Sequence, residues 1–176
     1  MATSVLVNKG DVIEPKVVSA TSVDESISLT PIKKRNPVVV NNPKHWDTIL
    51  DSMYQTVNAI DGTARAAFVD AVYTAAGKTG TAQLFSLGED EEYDASKINE
   101  RRRDNAMFVG YAPYDNPSIV IVVAVENAGG GSANAAPVAR EMMDLYFAMG
   151  LANKRNISTE IINVEETELA EENNGG

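Results

Sequence analysis

The clearest alternation of apolar and polar positions lies between residues 42 and 62. Apolar side chains recur there at intervals of three and four residues, the spacing of an amphipathic helix: Trp46, Leu50, Met53, Val57 and Ile60. Asn42-Pro43 offers a cap and a favourable first helical residue, and Asp61-Gly62 ends the pattern. We therefore predict a helix that buries this side, with Trp46 and Met53 in the core.

Three later segments are patterned as strands of one antiparallel sheet. Residues 71–85 form the first, with small side chains at its centre. Residues 105–113 and 118–127 are joined by Tyr114-Asp-Asn-Pro117, a strong turn signal, and so predict a hairpin. Ile119–Val125 is apolar on both faces, so we expect it to lie centrally in a covered sheet.

The first 42 residues carry weaker patterns. Residues 2–9 are typical of the end of an apolar helix capped by Gly10, with an extended exit over residues 12–18. A helix that begins at the second residue is typical either of a protein that continues upstream or of a natural start with a frayed end. Residues 19–42 are rich in Ser, Thr, Asn and Pro and predict an irregular connection, with Lys33-Lys34-Arg35 in solvent.

The C-terminal part predicts one more helix and a tail. Gly129-Gly-Gly131 leads into a helix with Pro137 near its start and Gly150 at its end. We expect its apolar side to cover the sheet, through Val138, Met142, Leu145, Tyr146 and Met149. From residue 160 to 176 there are six acidic residues and no basic one, so residues 157–176 are predicted to be a disordered tail after a folded portion, 1–156.

Composition narrows the class of protein. The 176 residues, 44% apolar and 23% charged, are typical of one globular domain. A net charge of −10 argues against nucleic acid as a partner. The absence of cysteine excludes disulfides and thiolate chemistry, and His45, the only histidine, has no second nitrogen or sulfur ligand, so we expect no metal and no cofactor. The acidic and arginine-rich segment 86–104 is expected to be a solvated, self-paired insertion, and no apolar run is long enough to span a bilayer.

The segment Ala76-Gly-Lys-Thr-Gly-Thr81 is the strongest candidate for chemistry, and two interpretations are open. A phosphate-binding loop would need a glycine at position 72, which is Val, and would run into a helix. Here Gly80 follows at once and the strand pattern continues. Nucleotide binding is therefore the minor alternative.

The other interpretation is the Lys-Thr-Gly element of serine acyl-transferases that react with penicillin. Strand alternation places Thr79, Thr81 and Gln83 on one face, where two hydroxyls can bind a substrate carboxylate. Lys78 supplies a positive charge for that carboxylate and favours deprotonation of a nearby hydroxyl. Gly80 lets a substrate backbone lie against the strand, and the amide of Thr81 can serve an oxyanion hole.

Together with its neighbours, this element resembles the C-terminal part of class B penicillin-binding proteins, and most of all the elongation-type penicillin-binding protein 2 of Gram-negative bacteria. The likeness is strong from residue 73 to 147 and looser from 1 to 70. It rests on the segments Lys78–Gln83, Tyr93–Asp104, Phe108–Pro117 and Val125–Gly130. It implies an α/β fold of the α+β type: the C-terminal half of a transpeptidase domain, with three antiparallel strands in this chain, covered by helices.

The resemblance also implies a function. Such proteins are periplasmic D,D-transpeptidases anchored in the inner membrane, which cross-link peptidoglycan through a serine acyl-enzyme and are inhibited by β-lactams. The implied partners are stem peptides, β-lactam antibiotics, the cell-wall elongation machinery and the N-terminal part of the same protein, with the anchor outside this chain. By position, Lys78, Thr79 and Gly80 would be the third active-site motif, and Thr81 would add its amide to the oxyanion hole and its hydroxyl to carboxylate binding.

One departure from the family's pattern limits this interpretation. The first motif, Ser-x-x-Lys, supplies the nucleophile, and no serine among the 176 residues has a lysine three places on. Ser132-Ala-Asn134 matches the second motif but follows the third, so we interpret it as a coincidence or a helix cap. We expect the chain to be inactive by itself and to lack two strands beside Ile119–Val125, which would expose an apolar edge. The alternative is a non-catalytic scaffold or interaction protein with the same half-fold.

Overall fold

A computed structural model describes residues 1–23, 26–83, 99, 101 and 103–151. The helices are α1 (Ala2–Val7), α2 (Lys44–Asn58), α3 (Arg65–Phe68), α4 (Gly131–Asn134) and α5 (Ala136–Ala148). The strands are β1 (Val12–Ile13), β2 (Ala20–Val23), β3 (Ser26–Leu29), β4 (Lys34–Arg35), β5 (Ala76–Ala82), β6 (Asn105–Ala112) and β7 (Ile119–Val125). The predicted tail, residues 157–176, and most of the charged insertion lie outside the described residues.

A three-stranded antiparallel sheet in the order β5-β6-β7 organises the fold. Thr79 pairs with Phe108, and Phe108 pairs in turn with Val123. The predicted hairpin is confirmed: its turn is closed by the Ser118 N–H, which donates to the Ala112 carbonyl at 3.0 Å. The mixed class, with helices against an antiparallel sheet, is also confirmed.

The main core lies between one face of this sheet and α5. Phe108 points into it and stacks on Phe68 with ring centroids 5.7 Å apart. A Cβ at Gly77 or Gly110 would lie 2.4 or 2.7 Å from atoms of the Phe108 ring. The ring therefore occupies the space that side chains at these two positions would need, which is why glycine stands at both.

α5 packs through a different side from the one that its large apolar residues predict. Ala136, Ala139 and Met143 are buried against the sheet, whereas Leu145 is 62% exposed. Val138, Met142 and Met149 are exposed as well. The small alanines let the helix approach the sheet closely. The helix therefore turns its alanine side, and not the side with the larger apolar residues, towards the sheet.

An ion-pair cluster fixes α5 to the segment that precedes β5. Arg140, whose side chain is 15% exposed, donates to the carboxylates of Asp70 and Asp144, both at 2.8 Å. The Tyr73 hydroxyl donates to Asp144, also at 2.8 Å. Burial, with the Asp144 hydrogen bond, raises the pKa of Tyr73, and the Arg140 hydrogen bond lowers that of Asp70. The predicted strand 71–85 therefore begins only at Ala76, since Tyr73 is turned towards α5.

The other face of the sheet is only partly covered. α2 packs at one end of it, where Leu50 and Met53 join Ala76 and Tyr111 in a second core cluster. Away from α1 and α2 the described residues leave this face uncovered, and Val122 is 63% exposed. β7 is an edge strand of the described sheet, as expected where two neighbouring strands are lacking, so the central and covered position expected from its apolar pattern is not reached within these residues.

α2 follows its prediction in its middle turns and departs from it at both ends. It begins at Lys44, after Pro43, which was predicted to be the first helical residue. Trp46, predicted in the core, belongs to neither core cluster. The Asn42 side-chain oxygen accepts the Lys44 N–H at 3.1 Å, as a cap. Val57 is buried and Trp46 is half-buried. Ile60, expected in the core, is 91% exposed because α2 ends at Asn58 and the backbone of Ala59 is extended.

The first 42 residues are more regular than predicted. β1, in the segment expected to be extended, pairs with β4, and β2 pairs with β3, both antiparallel. β2, β3 and β4 lie in the segment expected to be irregular. Short alternations of Ser and Thr with Val, Ile and Leu favour such pairing despite the polar composition. Arg35 is exposed as expected and donates from Nε to Glu14 at 2.7 Å.

α1 ends at Val7, two residues before the predicted end, and Asn8 is its C-cap. Gly10 closes the turn that follows: its N–H donates to the Val5 carbonyl at 2.8 Å, and its φ of +108° favours glycine. A Cβ there would lie 2.3 Å from the Val38 carbonyl oxygen. Both the positive φ and this close contact therefore require glycine at position 10. Among the described residues, no helix has the length and hydropathy needed to cross a membrane.

Candidate active site

The Lys-Thr-Gly element lies on β5, an edge strand of the main sheet. No strand of the described residues pairs with its outer edge. Lys78, Thr81 and Gln83 are exposed, and Thr79 and Gly80 are half-buried. A ligand in extended conformation can therefore reach the backbone and side chains of β5 from solvent.

The register of β5 on β6 fixes the direction of each side chain. Thr79 and Thr81 pair with Phe108 and Ala106, so both hydroxyl side chains lie on the face that carries α5. Lys78 pairs with Val109 and lies on the opposite, open face. The predicted common face is confirmed for Thr79 and Thr81, whereas Gln83 follows the end of β5 at Ala82 and is outside the paired register. Lys78 approaches the strand edge from the face opposite to the two threonines.

The Lys78 ammonium folds back onto the strand. Its Nζ donates to the carbonyl oxygen of Thr79 at 2.6 Å. The positive charge thus lies beside the backbone of β5 and stays exposed to solvent. An anionic group on a ligand lying along β5 would meet this charge without a large rearrangement.

Sequence reasoning missed one residue of the site, Thr63. Its hydroxyl oxygen lies 2.9 Å from the hydroxyl oxygen of Thr79. Thr63 belongs to the turn between α2 and α3, where Asp61-Gly62 gave only a signal for the end of a helix. Nothing local in the sequence relates this turn to β5, because the contact spans 16 positions.

The glycine-rich start of α4 packs directly on the backbone of the element. A Cβ at Gly131 would lie 2.2 Å from the Met107 carbonyl oxygen and 2.4 Å from that of Gly80. Glycine at 131 is therefore required by this contact. A Cβ at Gly80 would meet only the Met107 side chain, at an ordinary 3.4 Å. Packing among the described residues does not demand glycine at position 80.

A buried tyrosine lies on the same face as Lys78. Tyr111 is 1% exposed, and its hydroxyl has no hydrogen-bond partner among the described residues. Burial raises its pKa, with a smaller contribution from Tyr114. A cavity of about 450 Å³ adjoins it, rimmed by the Lys9–Asp47 ion pair and by Asp115. Within the described ranges, no three His, Asp or Glu side chains cluster as metal ligands.

Comparison with known proteins identifies the family. Residues 1–144 match the family described as the penicillin binding protein transpeptidase domain. The chain belongs to this transpeptidase family. It is 47% identical to the peptidoglycan D,D-transpeptidase MrdA of Haemophilus influenzae over 151 residues, which are 83% of this chain and 22% of that protein. It is 36% identical to the MrdA of Escherichia coli K12 over 132 residues, 75% of this chain and 21% of that one.

Solved structures of other members of the transpeptidase family agree. PBP2 of Pseudomonas aeruginosa, crystallised in complex with WCK 5153, superposes with a TM-score of 0.64 at 35% identity, covering 82% of this chain and 28% of that one. PBP2 of Helicobacter pylori, in a complex with MreC, gives a TM-score of 0.57 at 26% identity, covering 70% and 20%. The chain thus spans about a fifth of the length of the curated relatives it matches, 22% of the first.

The Ser132-Ala-Asn134 triplet lies within α4. Ser132 is exposed in α4, and no side chain caps that helix, so the cap interpretation is wrong for this serine. Asn134 donates from Nδ2 to the Ala128 carbonyl at 2.7 Å and so stabilises the glycine-rich turn. The structure therefore gives the triplet a role in shaping the turn that packs on Gly80.

Proposed function

We propose that this chain forms the Lys-Thr-Gly side of the active site of a peptidoglycan D,D-transpeptidase that works in cell elongation and is inhibited by β-lactams. The open edge of β5, with Lys78 and Thr81 exposed along it, is the observation that carries this proposal. The similarity to MrdA proteins over 83% of the chain supports it. The nucleophile belongs to a part of the protein beyond these 176 residues.

The proposed reaction has two acyl transfers. A serine hydroxyl attacks the carbonyl carbon of the penultimate D-Ala of a stem peptide, and the bond to the last D-Ala breaks. The departing D-Ala amine takes up the proton that the serine loses. An amine of a neighbouring stem peptide then attacks the ester, loses a proton, and returns the serine to its hydroxyl form. The product is a new amide that cross-links the two peptides.

The side chains of β5 have separate roles in this proposal. The Lys78 ammonium, beside the strand edge, attracts the terminal carboxylate of the donor peptide. The hydroxyls of Thr79 and Thr81, which share a face, hydrogen-bond that carboxylate. The Thr81 N–H donates to the oxyanion that forms on the attacked carbonyl. Gly80, which packing does not require, leaves room for the donor backbone against the strand, and exposed Gln83 extends the binding surface.

The N-terminal part of the same protein is proposed to cover the apolar surface of β7 and α5. A groove of about 460 Å³ opens there, lined by apolar side chains of both elements, among them Val122, Met142 and Leu145. The unpaired edge of β7 lies beside it. An exposed apolar edge of this kind favours pairing with a further strand.

Location and protein partners follow from the same proposal. The protein would act at the periplasmic face of the inner membrane, where its stem-peptide substrates lie, with an anchor outside this chain. The Helicobacter pylori PBP2 forms a complex with MreC, which supports a protein partner in the elongation machinery for this protein as well.

Acylation by a fluorescent penicillin tests the proposal in the full-length protein. Lys78→Ala is expected to slow acylation by roughly 10²-fold or more, because it removes the charge next to the ligand carboxylate. Lys34→Ala, on the distant and exposed β4, is the matched control and should acylate as the wild type does. A Lys78→Ala protein that acylates at the wild-type rate would overturn the proposal. A wild-type protein that binds no penicillin would favour the scaffold function.

A further inference from the structure

The hydroxyl of Thr79 has a neighbour that the Lys-Thr-Gly element does not itself contain. Thr63 Oγ1 lies 2.9 Å from Thr79 Oγ1, a normal distance for a hydrogen bond between hydroxyls. Thr79 is half-buried and Thr63 is exposed. The pair therefore lies on the α5 side of β5, at the border between protein and solvent, where a ligand of the strand would pass.

The turn that carries Thr63 is well fixed. The Gly62 N–H donates to the Ala59 carbonyl at 3.0 Å, and the Ala64 N–H donates to the Thr56 carbonyl at 3.0 Å. Ala64, the next residue after Thr63, is almost fully buried in the main core. Thr63 is thus held between a closed turn and a buried side chain, and its hydroxyl has a defined position relative to β5.

The number of protons on the two hydroxyls indicates which of them donates in this hydrogen bond. Each hydroxyl has one proton to donate, and a carboxylate can only accept. If Thr79 donated to Thr63, it would have no proton left for the carboxylate of a ligand. The arrangement that serves binding is the one in which Thr63 donates to Thr79 and Thr79 donates to the ligand. In such a chain each hydrogen bond also polarises the next.

We propose that Thr63 is a positioning residue: it holds the side chain of Thr79 in one rotamer and leaves the Thr79 proton directed at the ligand carboxylate. This inference rests on the proposed function, in which Thr79 binds that carboxylate. The β-branched side chain of threonine has few accessible χ1 rotamers, so a hydrogen bond to its hydroxyl can select one of them. Without Thr63, the Thr79 hydroxyl would divide its time between the ligand and other acceptors.

The experiment measures β-lactam acylation of the full-length protein over a range of concentrations, which separates the apparent dissociation constant from the limiting acylation rate. Thr63→Val removes the hydroxyl and keeps the shape, and Thr63→Ser restores the hydroxyl. Thr63→Val is expected to raise the apparent dissociation constant roughly 3- to 10-fold, the loss of about one hydrogen bond, with a nearly unchanged limiting rate. Thr63→Ser should remain close to the wild type.

Two further measurements distinguish positioning from a general structural effect. The methyl ester of the same β-lactam has no negative charge and is a weaker hydrogen-bond acceptor, so Thr63→Val should weaken its binding less than that of the acid. The double variant Thr63→Val, Thr79→Val should behave as Thr79→Val alone, because Thr63 acts only through Thr79. Thr63→Ala serves as a second hydroxyl-free variant if Thr63→Val folds poorly.

The outcomes separate this inference from the proposed function. If Lys78→Ala is inactive while Thr63→Val equals the wild type, the role of Thr63 is wrong and the proposed function stands. Equal losses for the acid and the ester would make Thr63 a structural residue and likewise overturn the inference. If Lys78→Ala and Thr79→Val both acylate normally, the proposed function fails, and the inference fails with it.

Discussion

The ring of Phe108 fills the place of a side chain at Gly77. A Cβ at position 77 would lie 2.4 Å from the ring carbon Cζ, far inside van der Waals contact. Phe108 is itself held by its stacking on Phe68, with centroids 5.7 Å apart. The residue before the Lys-Thr-Gly element is therefore tied to the main core, one position from Lys78.

Gly77→Ala is therefore predicted to destabilise the fold. Phe108 would have to leave its packed position, and overpacking of this kind costs about 1–3 kcal/mol in the free energy of unfolding. Urea unfolding of the purified full-length protein measures the loss. An unchanged midpoint would show that the ring can move aside at little cost.

Gly80→Ala is predicted to have the opposite profile, which makes it the matched control for Gly77→Ala. A Cβ at position 80 meets only the Met107 side chain at 3.4 Å, so the unfolding midpoint should shift little. The methyl group would stand on the strand along which the donor peptide lies, so acylation by penicillin should slow by roughly 10-fold or more. Wild-type acylation would show that the ligand does not approach Gly80 closely.

The Asp70–Arg140 ion pair predicts a change in titration. The hydrogen bond from Arg140 lowers the pKa of Asp70, and its positive charge adds to this effect. A lowered carboxyl pKa contributes stability that is present above the ordinary value and is lost as the pH falls through the lowered one. In Arg140→Ala the pKa of Asp70 should return towards its ordinary value.

NMR titration of the Asp70 side-chain carboxyl carbon in the wild type and in Arg140→Ala checks this. Arg140→Ala should also lower the melting temperature more than Asp70→Asn does. Arg140→Ala removes the contacts to both Asp70 and Asp144. Asp70→Asn changes only one of them, and because the Asp70 side chain is exposed, its ion pair contributes little to stability. Equal effects of the two variants would contradict the central place given to Arg140.

Two tyrosines are predicted to respond differently to the loss of their hydroxyls. The Tyr111 hydroxyl is buried without a partner among the described residues, so Tyr111→Phe should leave stability unchanged or raise it by about 1 kcal/mol. The Tyr73 hydroxyl donates to Asp144 at 2.8 Å, so Tyr73→Phe should lower stability by about 1 kcal/mol or more. Chemical denaturation of both variants measures these changes in the free energy of unfolding. A clear loss of stability in Tyr111→Phe would show that its hydroxyl has a partner in the folded protein.

The parts of the fold that the sequence predicts correctly are those set by neighbours in the chain. The β6–β7 hairpin follows from the Tyr114–Pro117 turn, and the turn after α1 follows from Gly10, because both signals act within a few residues. Strand alternation likewise predicts that Thr79 and Thr81 share a face.

The errors concern relations between distant segments. The orientation of α5 depends on how closely Ala136 and Ala139 approach the sheet, which periodicity does not reveal. The apolar pattern of β7 predicts a covered strand but does not show which segments cover it, and the described residues leave its outer edge unpaired. Thr63 is near Thr79 only because α2 packs beside the start of β5, a tertiary arrangement that no local pattern encodes.

The pairing of β6 with both of its neighbours bears on drug sensitivity under the proposed function. It is paired over seven residues with β5 on one side and over seven with β7 on the other. The two outer strands are thus fixed to one another at about 10 Å, twice the usual strand spacing. A substitution on the outer edge of β7 that shifts this strand would be transmitted through β6 to the Lys-Thr-Gly strand. On the proposed function, such a substitution would change acylation by an antibiotic that it does not touch.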